Sequence, residues 1–429
     1  MPRRNLVVLV AVGIVSLMCY QKVYKNQYGR IFVEVMKKID QRSLEPVGQE
    51  ELFLGAMEGM VGRLDDPYSS FLSPRKKKEF YEDLDRQFGG VGMHVGYDKE
   101  TNQLAVMSPL VGSPAYKAGV RAGDKILRID GKSTQGLSLN DAVGDMRGEP
   151  GEPVVLSLLH RGEDQPVDIE IIRAIIELDT VLGDTRGPDG SWNFFLEGHD
   201  RIGYLRINGF ADKTLKETDR ALQWLIEHDV QGLILDLRDN PGGLLTAATK
   251  MCNRFIDSGT IVTTRRRDGQ IKSYFEASDD DTVGRFPMAV LVNQSSASAS
   301  EIVAACLQDH GRAVIVGQRT WGKGTVQEVI ELPDDKGILK LTTASYWRPS
   351  EKNIHRKKDA KDEDDWGVTP NDGYKVVVEN DELVRLWKWR FQRDAFQPNG
   401  NGDDDENEKE PFVDRQLAKA VEYVEQAID

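Results

Sequence analysis

The sequence predicts an α/β fold: a layered strand–helix core with an inserted, smaller β-rich module and an N-terminal helical region. Three observations predict it. From about residue 200 onward, short uninterrupted apolar runs alternate with amphipathic helical patterns, as in a sheet buried on both faces. From Phe88 the texture is instead short strands separated by glycine turns. Before it lie two stretches with helical spacing of apolar residues. A chain of 429 residues holds two or three domains at roughly 100–200 residues each.

Residues 1–26 read as an export signal or membrane anchor. Arg3 and Arg4 precede an apolar run from Leu6 to Tyr20, interrupted only by Gly13 and Ser16, which is the layout of a secretory signal. The run is short of the roughly 20 residues of a full span, although Lys22 and Lys25 can snorkel and stretch it. The expected location is therefore extracytoplasmic, in the cell envelope or periplasm, with contact to the membrane if the segment is retained.

Residues 27–87 form the helical region. Ile31, Phe32, Val35, Met36 and Ile39 share one face, as do Leu52, Phe53, Ala56, Met57, Met60, Val61 and Leu64. Asp65-Asp66-Pro67-Tyr68-Ser69 ends the second helix, because a proline biases the residue before it away from helix. In the module at 88–174, Ser113 caps a short helix ended by Gly119, Asp130-Gly131 closes a strand, and Ser138 caps a helix running to Arg147. The core occupies 175–393. In it, Leu233-Ile234-Leu235 leads into Asn240-Pro241-Gly242-Gly243, and a strand at Ala289 to Val292 leads into a helix starting near Ser298. Residues 394–429 are an acidic linker and a terminal helix marked by Leu417, Val421 and Val424.

Composition excludes several functions. Fifty-six Lys and Arg against seventy Asp and Glu give a net charge of −14, the wrong sign for a nucleic-acid binder. Three cysteines, Cys19, Cys252 and Cys306, lack CxxC spacing, and six histidines form no HxxxH pair. No metal is expected, and Cys252 and Cys306 read as buried free thiols.

Three stretches carry candidate chemistry. Ser295-Ser296-Ala297-Ser298-Ala299-Ser300-Glu301 stands between a buried strand and a helix. A serine there is lifted to the sheet edge, where free amides of the helix start can stabilise an oxyanion. Helix capping, with Ser298 as N-cap and Glu301 three residues on, is the simpler reading of that stretch alone. Trp321-Gly322-Lys323-Gly324-Thr325-Val326-Gln327 puts a lysine between two glycines; if the stretch is a strand, Lys323 and Gln327 share a face. A lysine acting as a base must fall from a pKa of about 10.4 to near 7 or 8, roughly 3–5 kcal/mol of differential desolvation. An exposed hairpin lysine is the plainer alternative. The third stretch, Asp239-Asn240-Pro241-Gly242-Gly243-Leu244, is a glycine turn at a strand's carboxyl end, where ligands of open α/β sheets collect. His310 lies twelve residues beyond Ser298, about 18 Å along a helix, too far to be its base. A serine–lysine pair is the better arrangement.

Taken together, Ser-Ala-Ser-Ala-Ser-Glu followed twenty-five residues after Ser298 by Gly-Lys-Gly-x-Val-Gln resembles the carboxyl-terminal processing proteases. The resemblance runs from about Tyr28 to Val378. It includes Asp66-Pro67-Tyr68-Ser69, the Phe88-Gly89-Gly90-Val91-Gly92 opening of a PDZ domain, and Asn240-Pro241-Gly242-Gly243. It implies an exported serine endopeptidase with Ser298 as nucleophile, Lys323 as general base, Gln327 orienting the lysine, and the Gly243 and Ala299 amides as oxyanion hole. It also implies a cofactor-free mechanism and a PDZ module that takes the substrate's free carboxyl end on the Gly90-Val91-Gly92 amides by strand addition. Partners are then proteins with disordered apolar tails, with an adaptor or regulator as a further partner. A charge-rich insert at 351–365 and the acidic tail depart from the family pattern. Two other readings remain: a non-catalytic binder of protein tails, and a crotonase-like acyl-CoA enzyme, which needs neither a PDZ module nor an export signal.

Overall fold

Four parallel strands sort their side chains alternately to two faces, and that sorting organises the core. In the computed structural model, residues 5, 12–16, 27–98, 101–395 and 412–429 are described. The strands are β1 (His199–Ile207), β2 (Gly232–Asp236), β3 (Met288–Val292) and β4 (Val314–Gly317), paired in that order. Val181–Leu182 and Phe195–Leu196 add antiparallel to β1. Parallel neighbours need crossover connections, usually helices; here these are α1 (Thr214–Glu227), α2 (Leu245–Asn253) and α3 (Ala299–Asp309).

One face of the sheet gives Leu205, Leu233, Leu235, Val290 and Ile315 to a core with Leu222, Met251, Ile302 and Cys306 of those helices. The other gives Tyr204, Ile234, Leu291 and Val316 to Leu417, Ala420, Val421 and Val424 of the terminal helix α5 (Arg415–Ile428). Strands β2 and β3 are buried at every position, so they read in sequence as continuous apolar runs. Cys252 and Cys306 are buried free thiols.

The β-rich module is a PDZ-like antiparallel sheet ordered Met93–Tyr97, Leu104–Pro109, Lys125–Ile129, Pro153–Leu159, Val167–Ile172. Its core is Val91, Ile126, Leu156, Leu158, Ala142 and Met146. Ser113 and Ser138 cap the two short helices through their hydroxyls. Met93–Tyr97 stands at the edge of this sheet.

The chain forms two units, Met1–Lys77 with Gln327–Thr342, and Lys78–Val326 with Thr343–Asp429. In the first, helices Gln27–Arg42 and Gln49–Val61 precede the strand Ser70–Leu72, which pairs antiparallel with Ile338, Leu339 and Lys340. Phe53 meets Phe71 edge-on, centroids 6.3 Å apart. In the second unit the other half of the strand Ile338–Trp347 pairs with Gly259–Arg265.

Helix α4 (Asn380–Asp394) ends the core; of the expected linker, residues 396–411 lie outside the described ones. The apolar run Leu6 to Tyr20 also lies mostly outside them; among the described residues no helix is long and apolar enough to cross a membrane.

Candidate active site

The carboxyl ends of β2 and β3 each open into a loop, and hydrogen bonds lace the two loops together. The Asp239 amide donates to Asn293 Oδ1 and the Asn293 side chain returns a bond to Asp239 Oδ1, both at 3.0 Å. The Ser296 hydroxyl donates to Leu237 O at 2.7 Å. Asn240, fully buried, accepts on its carbonyl from Ala297 N–H at 3.0 Å and from the Ser300 hydroxyl at 2.9 Å. The glycine turn and the serine loop are thus one unit, which is why their motifs belong together.

Ser298 caps α3 with φ +57° and ψ −113° and is 6% exposed. Such a conformation costs a serine roughly 1–3 kcal/mol and persists only where its surroundings impose it. Gly242 shows how tight those surroundings are. At φ +103°, a Cβ there would fall 2.7 Å from Ala297 O, 2.9 Å from Ser298 Cβ and 3.0 Å from Ala299 N. Gly243 is held by Phe210, which donates to Gly242 O and accepts from Leu244 N–H. Among the described residues, neither the Gly243 nor the Ala299 N–H has an acceptor. Two donors beside a serine hydroxyl at a helix start can bind a developing oxyanion.

Glu301 connects this serine to the lysine loop. Fully buried, its carboxylate accepts from Ser298 N–H and Lys323 N–H on the same oxygen, Oε2, each at 2.8 Å. Its other oxygen accepts from Gly322 N–H at 2.7 Å and the Thr320 hydroxyl at 2.6 Å. Burial pushes the Glu301 carboxyl above its ordinary pKa, against the pull of these four donors. Glu301 is therefore the cap partner the sequence suggests, and it also fixes the backbone of Lys323 beside that of Ser298.

Lys323 itself is half-buried and lies in a loop; the strand begins at Thr325. The expectation that Lys323 and Gln327 share a strand face therefore does not follow from strand period. The loop is clamped by the charge-rich insert. A Cβ at Gly324 would fall 2.3 Å from His355 N, and one at Gly322 2.6 Å from Arg356 Cβ. Arg356 N–H donates to Gly322 O, and Trp366 takes the guanidinium groups of Arg319 and Arg356 at 4.5 Å each. The insert's position over the lysine loop was not legible in its charged composition.

Tyr346 was also missed. Nearly buried, its hydroxyl is hydrogen-bonded to the Ser298 side chain, and burial pushes its pKa up to about 12. Its position on a long β-strand carries no sequence signal. Gln327 belongs to the first unit, where its amide donates to Thr342 Oγ1 at 3.1 Å. Thr342 N–H in turn donates to the Ser69 hydroxyl, which donates to Asp66, so the Asp-Pro-Tyr-Ser turn braces the strand pair carrying Gln327. His310 ends α3 and its ring meets Thr260 O.

In the PDZ-like module, Gly90 pairs with Ala174, Val91 O accepts from Ala115 N–H, and Gly92 O accepts from Leu110 N–H and the Ser113 hydroxyl. A Cβ at Gly92 would lie 2.5 Å from Ser113 Cβ. The Val91 and Gly92 amides have no acceptor among the described residues. They adjoin the edge strand Met93–Tyr97.

Comparison with known proteins gives three matching profiles: peptidase family S41 over residues 201–372, a PDZ domain over 106–159, and the activating protease CtpB N-terminal domain over 22–75. A carboxy-terminal-processing protease of Bartonella bacilliformis is 37% identical over 89% of this chain and 87% of its own. A carboxyl-terminal-processing protease of Synechocystis is 40% identical over 72% and 70%. A solved Bacteroides fragilis structure assigned to the S41 proteases shares the fold, with a TM-score of 0.50 at 16% identity over 86% of this chain and 93% of its own.

Proposed function

Because the chain belongs to the carboxyl-terminal processing serine proteases of family S41 and carries a PDZ domain, we propose that it cleaves protein substrates with a Ser298–Lys323 dyad. The observation that carries this reading is the Glu301 oxygen accepting from both Ser298 N–H and Lys323 N–H. A shared anchor of this kind fixes nucleophile and base relative to each other.

The neutral Lys323 amine takes the proton from Ser298 Oγ as that oxygen attacks the scissile carbonyl carbon. The oxyanion accepts from the Gly243 and Ala299 amides. The lysine ammonium then gives the proton to the departing amine as the C–N bond breaks, leaving an acyl ester on Ser298. Water, deprotonated by Lys323, hydrolyses the ester and restores the serine. The substrate's disordered apolar tail adds as a strand to the edge Met93–Tyr97, its carboxylate on the Gly90-Val91-Gly92 amides. The reaction takes place outside the cytoplasm, in the envelope, with residues 1–26 as the export signal. A phosphatase fused after residue 26 tests that address, since it gains activity only if exported.

The test of the chemistry is a disordered reporter with an apolar carboxyl terminus. Wild type cleaves it; Ser298→Ala and Lys323→Ala lose about three orders of magnitude or more in kcat with the fold intact. His355→Gln retains turnover, because that residue packs on the lysine loop through its backbone. Wild-type-like turnover in either dyad variant overturns the reading.

A further inference from the structure

Helix α4 has two unlike faces. On one, Leu386 and Arg390 are buried. Arg390 and Arg393 both bind the fully buried Asp184, and Arg393 also binds Glu197 at 2.7 Å. At about 100° per residue, Val384, Trp387 and Phe391 fall within an arc of about 60° roughly 120° away from that face. They are 62%, 51% and 37% exposed. Two arginines therefore pin the helix while a row of three large apolar side chains faces outward. Single exposed apolar residues need no explanation, but an aligned row does.

Two members of the row, Trp387 and Phe391, touch the two places that a substrate must connect. Trp387 Nε1–H donates to Asp239 Oδ2 at 3.1 Å, and Asp239 opens the turn that carries Gly242 and Gly243. The Phe391 ring meets His94 edge-on, centroids 6.1 Å apart, and His94 lies on the edge strand Met93–Tyr97. A chain whose carboxylate is held at Gly90-Val91-Gly92 has to leave that strand and reach Ser298. We propose that the Val384–Trp387–Phe391 row is the track for this connecting segment, an extended apolar stretch of substrate between the bound carboxyl end and the scissile bond. The proposal rests on the tail-recognition reading above. The row spans about 10 Å, the reach of about three extended residues, so it sets apolar preference at those upstream positions, beyond what the PDZ groove reads.

The test measures binding to Ser298→Ala protein, which holds substrate without turning it over. Two fluorescent peptides share one apolar carboxyl end. One has about four residues, enough for the PDZ edge, and the other about twelve, enough to pass the row. Substituting Val384→Ser and Phe391→Ser together weakens the long peptide about tenfold and leaves the short one within about twofold. Trp387→Ser behaves likewise, whereas Trp387→Phe keeps long-peptide affinity because it retains apolar area and loses only the bond to Asp239. Ile226→Ser, an exposed apolar residue on α1, changes neither peptide. Unchanged affinity for both peptides, or equal loss for both, overturns the track. So does a change of oligomeric mass at unchanged affinity, which would make the row an interface between two copies of the chain. Failure of wild type to cleave the reporter defeats the catalytic reading separately, since these affinities are read without cleavage.

Discussion

Four donors converge on the carboxylate of Glu301, and two of them are the backbone amides of Ser298 and Lys323. Glu301→Gln sets an N–H₂ against backbone N–H donors, so at least one bond is lost inside a dry site. The expected cost is about 2–4 kcal/mol of stability, and a kcat reduced about 10²-fold through misplacement of the dyad. Chemical denaturation and reporter kinetics check both, and an undiminished kcat would mean that the shared anchor is dispensable. Gly242→Ala is the complementary change. Its methyl group meets Ala297 O, Ser298 Cβ and Ala299 N, so kcat falls at least about 10²-fold, with Gly243 and Ala299 still present. Ser298 and Lys323 could be singled out in sequence because they sit in short motifs at fixed spacing. Glu301 was legible only as a cap, since its other three donors come from nineteen to twenty-two residues further along the chain. Tyr346 was not legible at all, because its bond to Ser298 depends on tertiary packing alone.

Strands β2 and β3 were readable as elements because burial on both faces leaves nothing but apolar residues in them. Their carboxyl-end loops could be placed for the same reason. Helix α4 escaped notice because its buried face is built from arginines on a buried aspartate, which reads as a polar surface. Helix α5 was found from its apolar spacing, but its polar anchor was not. The α5 cap residue Asp414 and Gln416 bind Arg238, itself bonded to Asp236 under the glycine turn. Burial would raise the Asp236 carboxyl, but the Arg238 guanidinium holds it below its ordinary value. Asp414→Ala leaves Arg238 with one carboxylate partner, and an expected loss of about 2–4 kcal/mol in urea unfolding. A cycle with Arg238→Met should return a coupling of about 1–3 kcal/mol; strict additivity would mean that α5 is held by its apolar face alone.

At the scale of the molecule, the order of helical region, PDZ module and layered core was legible from changes of texture along the chain. The division into two units was not, because Gln327–Thr342 joins the N-terminal unit across the intervening residues 78–326, and only pairing with Ser70–Leu72 reveals it. Gln327 therefore falls outside the unit that holds Ser298 and Lys323. The dyad can be read independently of any substrate tail by timing fluorophosphonate labelling across pH and mapping the adduct by mass spectrometry. The predicted result is one adduct, on Ser298, whose rate rises with pH and levels off well below the ordinary lysine pKa of about 10.4. In Lys323→Ala the rate should be at least about 10²-fold slower and lack that rise. Wild-type labelling rates in Lys323→Ala at every pH, or an adduct on another residue, would contradict the pairing of this serine with this lysine.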